Sequence, residues 1–262
     1  MRRPPVCKLQ TPLKIERAQA ADVPSILSLK QKAFEKYRSF IPYKAPESER
    51  LLAQVLSDPE RGDVNVAREG DQLVGYTIAK LLRSRYHLSY IATEPKREGE
   101  GIGRALFRRF EEDARAGGAS ATSLDVFESN TGACGWYQRR GYTLVQTTSI
   151  VAVNMAPPIQ GSEGLKIDEN ELRSSLDEEE EQGASTVMAR LGELTVRLGL
   201  IAGSVIRLNN AADYPLPAVL AAIQATFGPS RERIVVSGFD KLPAGLNVLQ
   251  SEISCLMEKP LV

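Results

Sequence analysis

The segment Pro95-Lys96-Arg97-Glu98-Gly99-Glu100-Gly101-Ile102-Gly103-Arg104 sits where one kind of periodicity gives way to another. Upstream, His87 to Thr93 carries Leu88, Tyr90 and Ile91 in a strand-like run. Downstream, Ile102, Leu106, Phe110 and Ala114 recur every four residues, which predicts an amphipathic helix ended by Ala116-Gly117-Gly118. A glycine-rich turn from strand to helix brings backbone N–H groups close to a ligand, and the helix start adds its positive dipole end. Such a turn suits a phosphate or pyrophosphate, although a turn of this kind without a ligand is common. The nucleotide P-loop ends in Gly-Lys-Ser/Thr, whereas this turn ends in Gly103-Arg104-Ala105. The dinucleotide fingerprint needs a third glycine, absent here from either starting point, and a βαβ unit rather than antiparallel strands around it.

Around this turn the chain reads as an α/β layer structure with element order β α α β β β α β α β. Leu13 to Ala18 is a first strand; Asp22 before Val23-Pro24 predicts an N-cap and a helix to about Tyr37. A second helix from Pro46 carries Leu51, Leu52, Val55 and Leu56 on one stripe and ends at Asp58-Pro59 and Arg61-Gly62. Asp63 to Arg68, Gln72 to Leu82 and His87 to Thr93 follow as antiparallel strands. Beyond the helix come a buried strand over Ser123 to Phe127, a short helix over Asn130 to Arg140, and a long strand over Thr143 to Met155.

The 262 residues are 42% hydrophobic, 25% charged and 6% aromatic, values of an ordinary globular protein rather than a disordered, collagenous or coiled-coil one. The length suits two modest domains. The formal net charge of zero conceals segregation. Residues 1–155 carry 24 basic and 18 acidic side chains, residues 156–182 carry 2 and 9, and residues 183–262 carry 7 and 6. The expected organisation is thus a domain over 1–156, an acidic linker over 157–182 containing Asp177-Glu178-Glu179-Glu180-Glu181, and a smaller α+β domain over 183–262. In that last part Leu194 to Leu208 has β character, Leu216 to Phe227 a helical pattern, and Arg233 to Val236 and Leu246 to Leu256 read as strands. Gly141-Tyr142-Thr143-Leu144-Val145-Gln146 is echoed by Gly245-Leu246-Asn247-Val248-Leu249-Gln250, either a trace of a degenerate partial copy or a chance likeness of β segments. Cys7, Cys134 and Cys255 are too widely spaced for a metal set with the single histidine, so free thiols in a reducing compartment and no metal are expected. The basic start Met1-Arg2-Arg3-Pro4-Pro5 precedes no apolar stretch, and no run is long enough to span a bilayer, which predicts a cytoplasmic protein without membrane or nucleic-acid partners. Self-association as a homodimer is left open.

About thirty residues after the glycine turn stands Asn130-Thr131-Gly132-Ala133-Cys134-Gly135-Trp136-Tyr137-Gln138-Arg139-Arg140-Gly141-Tyr142. Together the two stretches resemble the GNAT superfamily of acyl-CoA-dependent N-acyltransferases. The first is similar to its pyrophosphate loop, Arg/Gln-x-x-Gly-x-Gly/Ala, and the second to its segment N-x-x-A-x-x-[aromatic or Leu]-Tyr-x-x-x-Gly-[Phe/Tyr]. The resemblance covers residues 13–155, including element order, and implies a mixed, mostly antiparallel sheet with helices on both faces. It implies an N-acetyltransferase that moves an acetyl group from acetyl-CoA to a primary amine, a protein N-terminus or a small molecule, in a ternary complex. By the same resemblance Glu98, Gly99, Glu100, Gly101, Ile102, Gly103 and Arg104 line the pyrophosphate, Ile91 and Thr93 pair with the pantetheine arm, and Asn130 contacts the cofactor or fixes its loop. Tyr137 would face the sulfur as general acid; its competing reading is a core aromatic. The strand over Leu124-Asp125-Val126 looks most like relatives that acetylate protein N-termini.

Two departures stand out. Glu98 occupies the position usually Arg or Gln, so either Arg97 or Lys96 compensates or Glu98 points to solvent. Ser89 occupies the strand position where many relatives place a Glu base, leaving Glu128 and His87 as candidates for moving the amine proton through water. His87 reads first as a polar residue at a strand edge, and Cys134 as packing. The competing function from another class is an acyl-CoA-binding regulatory module without turnover; dinucleotide binding is a third.

Overall fold

The computed structural model describes residues 12–41, 46–58, 62–155 and 163–261. The N-terminal segment with Cys7 and the Pro157-Pro158 break therefore lie outside the described residues.

The first half follows the alternation and helical periodicity of its sequence closely. β1 (Leu13–Arg17), α1 (Val23–Ala33), α2 (Glu47–Ser57), β2 (Asp63–Glu69), β3 (Gln72–Leu82) and β4 (Arg85–Thr93) lead to the glycine turn. After it come α3 (Ile102–Ala116), β5 (Ala121–Phe127), α4 (Thr131–Gln138) and β6 (Thr143–Asn154). α1 stops at Ala33 rather than Tyr37, with one 3₁₀ turn over Glu35–Tyr37 beyond it. The Asp22 carboxylate makes no cap to α1; it accepts from the Gln19 N–H at 2.9 Å and pairs with Arg68. α3 buries Ile102, Leu106, Phe110 and Ala114, the stripe its four-residue recurrence foretold, and Phe107 beside it.

The C-terminal residues extend this sheet rather than starting another. α5 (Glu169–Gln182), β7 (Ala184–Leu191), β8 (Leu194–Ile201), β9 (Val205–Leu208), α6 (Leu216–Phe227), β10 (Arg233–Ser237) and β11 (Val248–Pro260) complete an eleven-stranded sheet of order β1-β2-β3-β4-β5-β11-β6-β10-β9-β8-β7. Elements α5 to β11 repeat the order of α2 to β6 with no counterpart of α4. The two long strands are exchanged: β11 pairs antiparallel with β5, β6 pairs antiparallel with β10, and β6 and β11 pair with each other at the centre. Gly141 and Gly245, which open the two echoed hexapeptides, both take positive φ, 86° and 82°, just before these strands.

Most of the expected linker is not a solvated spacer. Residues 169–182 form a helix because Asp168 caps them, its side chain accepting from the Asn170 and Glu171 N–H groups at 3.0 Å, and Gly183 ends them at φ 79°. Of the acidic run only Glu179 turns inward, where it meets Arg231 in a two-pronged pair at 2.7 and 2.6 Å. Both side chains are at most 5% exposed.

Two packing facts place the site. Leu124 and Val126 share a core with Phe107, Phe110 and Tyr137, so the alternation of β5 turns Ser123, Asp125 and Phe127 to the opposite face. On that opposite face Tyr37 and Phe40 pack on Phe127 at 4.5 and 5.3 Å, and with Ile41 they also bury Ala152, Val205 and Val235. The segment after α1 thus clamps the two halves together.

Candidate active site

β4 and β5 run parallel and are paired from Arg85–Ala121 to Leu88–Leu124, and no further. Ser89 is the reason on the β4 side: the register with β3 passes from Ala79–Leu88 to Ile78–Tyr90, leaving Ser89 as an extra, bulged residue. The Glu94 N–H donates to the Val74 carbonyl at 2.9 Å. By the two-residue alternation of a strand, Ala92 faces β3 as well, and Ile91 and Thr93 present their backbone groups toward the gap that opens before β5.

The glycine turn stands at the head of this gap. Gly99 and Gly101 have φ of 86° and 87°, a left-handed conformation that a side chain disfavours, and no atom lies within 4 Å of where a Cβ would stand on either. The Ala105 N–H closes the first bond of α3 on Gly101, so the N–H groups of Ile102, Gly103 and Arg104 have no acceptor within the helix. Glu98 and Glu100 are exposed. Arg97 does not reach toward the turn's open side: it is held two-pronged by Glu69 at 2.9 and 2.7 Å and also pairs with Glu100. These acceptors raise its guanidinium above the usual value. Arg104 stands in the first turn of α3, and Arg139 and Arg140 follow α4, where Arg140 stacks on Trp136 at 3.4 Å and donates to the Trp136 carbonyl at 3.1 Å. Burial lowers the Arg140 guanidinium below the usual arginine value, and the nearby charges of Arg104 and Arg139 push it the same way. Arg139 and Arg140 fall within the quoted Tyr137 segment, and their adjacency to it in sequence was the available signal for this cluster.

α4 brings its side chains to the α3 face of the gap. Asn130 is its N-cap, Oδ1 accepting from the Ala133 N–H at 3.3 Å. Tyr137 is 7% exposed, packed on Phe107, Trp136 and Tyr142 with centroids 5.7, 5.1 and 6.0 Å away. Burial raises its phenol above the usual value and the Cys134 sulfur adds to this, so the hydroxyl keeps its proton at neutral pH. The Cys134 thiol points at the Phe127 carbonyl, 3.6 Å away at the end of β5, and burial raises it too. A thiol so placed packs the helix rather than acting as a nucleophile.

His87 is not at a strand edge. β4 lies between β3 and β5, and His87 pairs with Lys80 on one side and Ser123 on the other. Beside the end of β5, Glu128, Ser129, Ile150, Phe239, Leu242 and Glu252 are among the residues around an open cavity of about 470 Å³. Ser129 donates to Glu252 at 2.9 Å, and the Glu128 N–H to the Ile253 carbonyl at 2.8 Å, so β11 forms one wall of it. Among the described residues no cluster suited to a metal ion occurs, and no helix is long and apolar enough to cross a membrane.

The sheet thus parts beside a glycine-lined helix start, with the buried phenol of Tyr137 in the core that packs under α3. Residues 24–142 match the model of the acetyltransferase (GNAT) family, and the chain carries a GNAT acetyltransferase domain there. Solved structures extend the likeness of fold to both halves. A GCN5-related N-acetyltransferase from Sphaerobacter thermophilus covers 95% of this chain and 95% of its own at TM-score 0.65 and 17% identity. A tandem GNAT protein from the clavulanic acid biosynthesis pathway covers 95% of this chain and 98% of its own at TM-score 0.65 and 15% identity. No curated protein matches the sequence.

Proposed function

We propose that this protein is an N-acetyltransferase that uses acetyl-CoA to acetylate a primary amine, at a protein N-terminus or on a small molecule, by direct attack in a ternary complex. The observation that carries the reading is the parting of β4 from β5 after Leu88–Leu124, directly beneath the glycine turn. Acetyl-CoA fits the residues present, and it supplies an acyl group activated as a thioester. The unpartnered N–H groups of α3 and the open space over Gly99 and Gly101 suit a pyrophosphate, with Arg104, Arg139 and Arg140 completing the charge that Glu98 does not provide. Ile91 and Thr93 offer a strand edge to the pantetheine amides. A backbone N–H on that edge also stands ready for negative charge developing on the carbonyl oxygen. Tyr137, protonated and buried on the α3 face, gives its proton to the departing sulfur.

Among the described residues the second half has no equivalent of this arrangement. β9 stays paired with β10 over all its residues, from Val205–Arg233 to Leu208–Val236. The turn after it, residues 209–215, contains no glycine, and Pro217 removes an N–H from the first turn of α6. We therefore read residues 183–262 as a degenerate unit without cofactor that contributes β11 to the acceptor side. The acidic rim of Glu128 and Glu252 favours a cationic acceptor.

The test combines calorimetric titration with acetyl-CoA and free-thiol release over a panel of amines and peptides. Binding with acceptor-dependent thiol release is expected. Binding without release on any acceptor would identify an acyl-CoA-binding module instead, and no binding would refute both.

A further inference from the structure

Tyr137 handles a proton on the α3 face, yet an acceptor amine arrives as an ammonium ion and must lose a proton before it attacks. Tyr86 and Leu88 point into the core under α3, so alternation turns His87 to the opposite face, the one that carries Tyr37 and Phe40. It stands one residue before the last rung that joins β4 to β5, and Asp125 stands one residue beyond that rung on β5. The His87 Nδ1 lies 3.1 Å from Ser123 Oγ. Its Nε2 lies 3.6 Å from Asp125 Oδ2, too far for a hydrogen bond and close enough to stabilise a positive ring. Ser254 of β11 donates to the other Asp125 oxygen at 3.4 Å, so the C-terminal half completes the cluster. The imidazole is 12% exposed and the Asp125 side chain 54%, so the ring is shielded while the carboxylate reaches solvent.

From this geometry we infer that His87 is the proton acceptor for the incoming ammonium, with Asp125 as the positioning residue that steadies the imidazolium. The assignment rests on the acetyl-transfer reading above. With its hydrogen on Nδ1 toward Ser123 Oγ, the ring keeps its lone pair on Nε2, on the side of Asp125. One ammonium proton passes to Nε2, directly or through one water, and frees the nitrogen lone pair. That pair forms the C–N bond at the thioester carbonyl, and the electrons of the C–S bond leave with sulfur. Tyr137 protonates the sulfur and regains the second proton shed by the nitrogen, and His87 later releases its own to solvent. Base and acid thus act from opposite faces through one opening in the sheet.

The charges that act on the ring come from three strands. Burial lowers its pKa below the ordinary histidine value; Asp125 on β5 opposes this, while Lys80 on β3 and Arg85 on β4, itself paired with Glu258 of β11, reinforce it. The ring is therefore in its neutral form at neutral pH.

His87 is the single histidine of the chain, so its imidazole NMR signals need no assignment. The experiment compares their titration with the pH profile of kcat/KM in wild type, Asp125→Asn and Lys80→Met. The acid limb should coincide with the ring titration, shift to lower pH in Asp125→Asn and to higher pH in Lys80→Met. His87→Gln should lose the limb and about 10²-fold or more in kcat, with the calorimetric Kd for acetyl-CoA unchanged. A limb that ignores Asp125→Asn and Lys80→Met, both of which keep the ring, overturns the assignment even where His87→Gln fails to fold. If acetyl-CoA binds but no amine turns over, the acetyl-transfer reading falls separately. The ring is then judged by adding amines to the CoA complex: shifted imidazole signals support proton acceptance, and unmoved ones refute it.

Discussion

Tyr137 carries two roles that a single substitution separates. Its ring is core, packed on Phe107, Trp136 and Tyr142, whereas only its hydroxyl is chemical. Tyr137→Phe keeps the packing and should lower kcat about 10²-fold or more, with acetyl-CoA affinity unchanged by calorimetry; an unaltered kcat removes the acid from the mechanism. Gly101 is the complementary case. Its φ of 87° penalises any side chain while nothing stands within 4 Å of a Cβ. Gly101→Ala should therefore cost about 1 kcal/mol of stability in a denaturant titration, from backbone conformation alone. Both residues were legible from the sequence because glycine spacing and the Asn130-to-Tyr142 segment are local signals. Arg97 and His87 were singled out too, but their partners were not legible. The first depends on Glu69, 28 residues away, and the second on Ser123 and Asp125 of a strand that only folding brings alongside.

The elements were read well wherever one period dominated, as in α3, β3 and α6, and less well where the composition pointed to solvent. β7 went unseen because Val187 and Ala189 are its only fully buried side chains, a thin apolar signal straight after an acidic run. α5 is the larger lesson: five consecutive acids read as a charged spacer, but a helix turns only one in about four of them inward. That one, Glu179, also accepts from the Gly203 N–H at 2.9 Å, and its partner Arg231 comes from the turn before β10. Glu179→Gln should cost about 3–5 kcal/mol in equilibrium unfolding, because it strands a buried guanidinium. Replacing both partners, Glu179→Leu with Arg231→Met, should recover much of that loss. If the single and double variants are equally destabilised, the pair is not what holds α5 down.

For the whole molecule, the exchange of β6 and β11 joins both halves into one sheet, so the positive first part, the acidic helix and the nearly neutral last part are one body rather than beads on a string. The repeated element order was faintly legible in the echo around Gly141 and Gly245. The exchange itself was not, since pairing between β5 and β11 joins residues more than a hundred positions apart. The repetition is nevertheless unequal: β4 and β5 part after Leu88–Leu124, whereas β9 stays paired with β10 over its whole length. The most direct test is calorimetric titration of the full chain and of Gly103→Glu with acetyl-CoA. A Cβ at Gly103 would meet only Thr93 Cγ2, at 3.8 Å, so the variant should fold, and its carboxylate would stand at the start of α3 where the pyrophosphate is expected. One acetyl-CoA per chain, lost or weakened at least tenfold in Gly103→Glu, is the predicted result. Two sites per chain, or wild-type affinity in Gly103→Glu, would contradict the account.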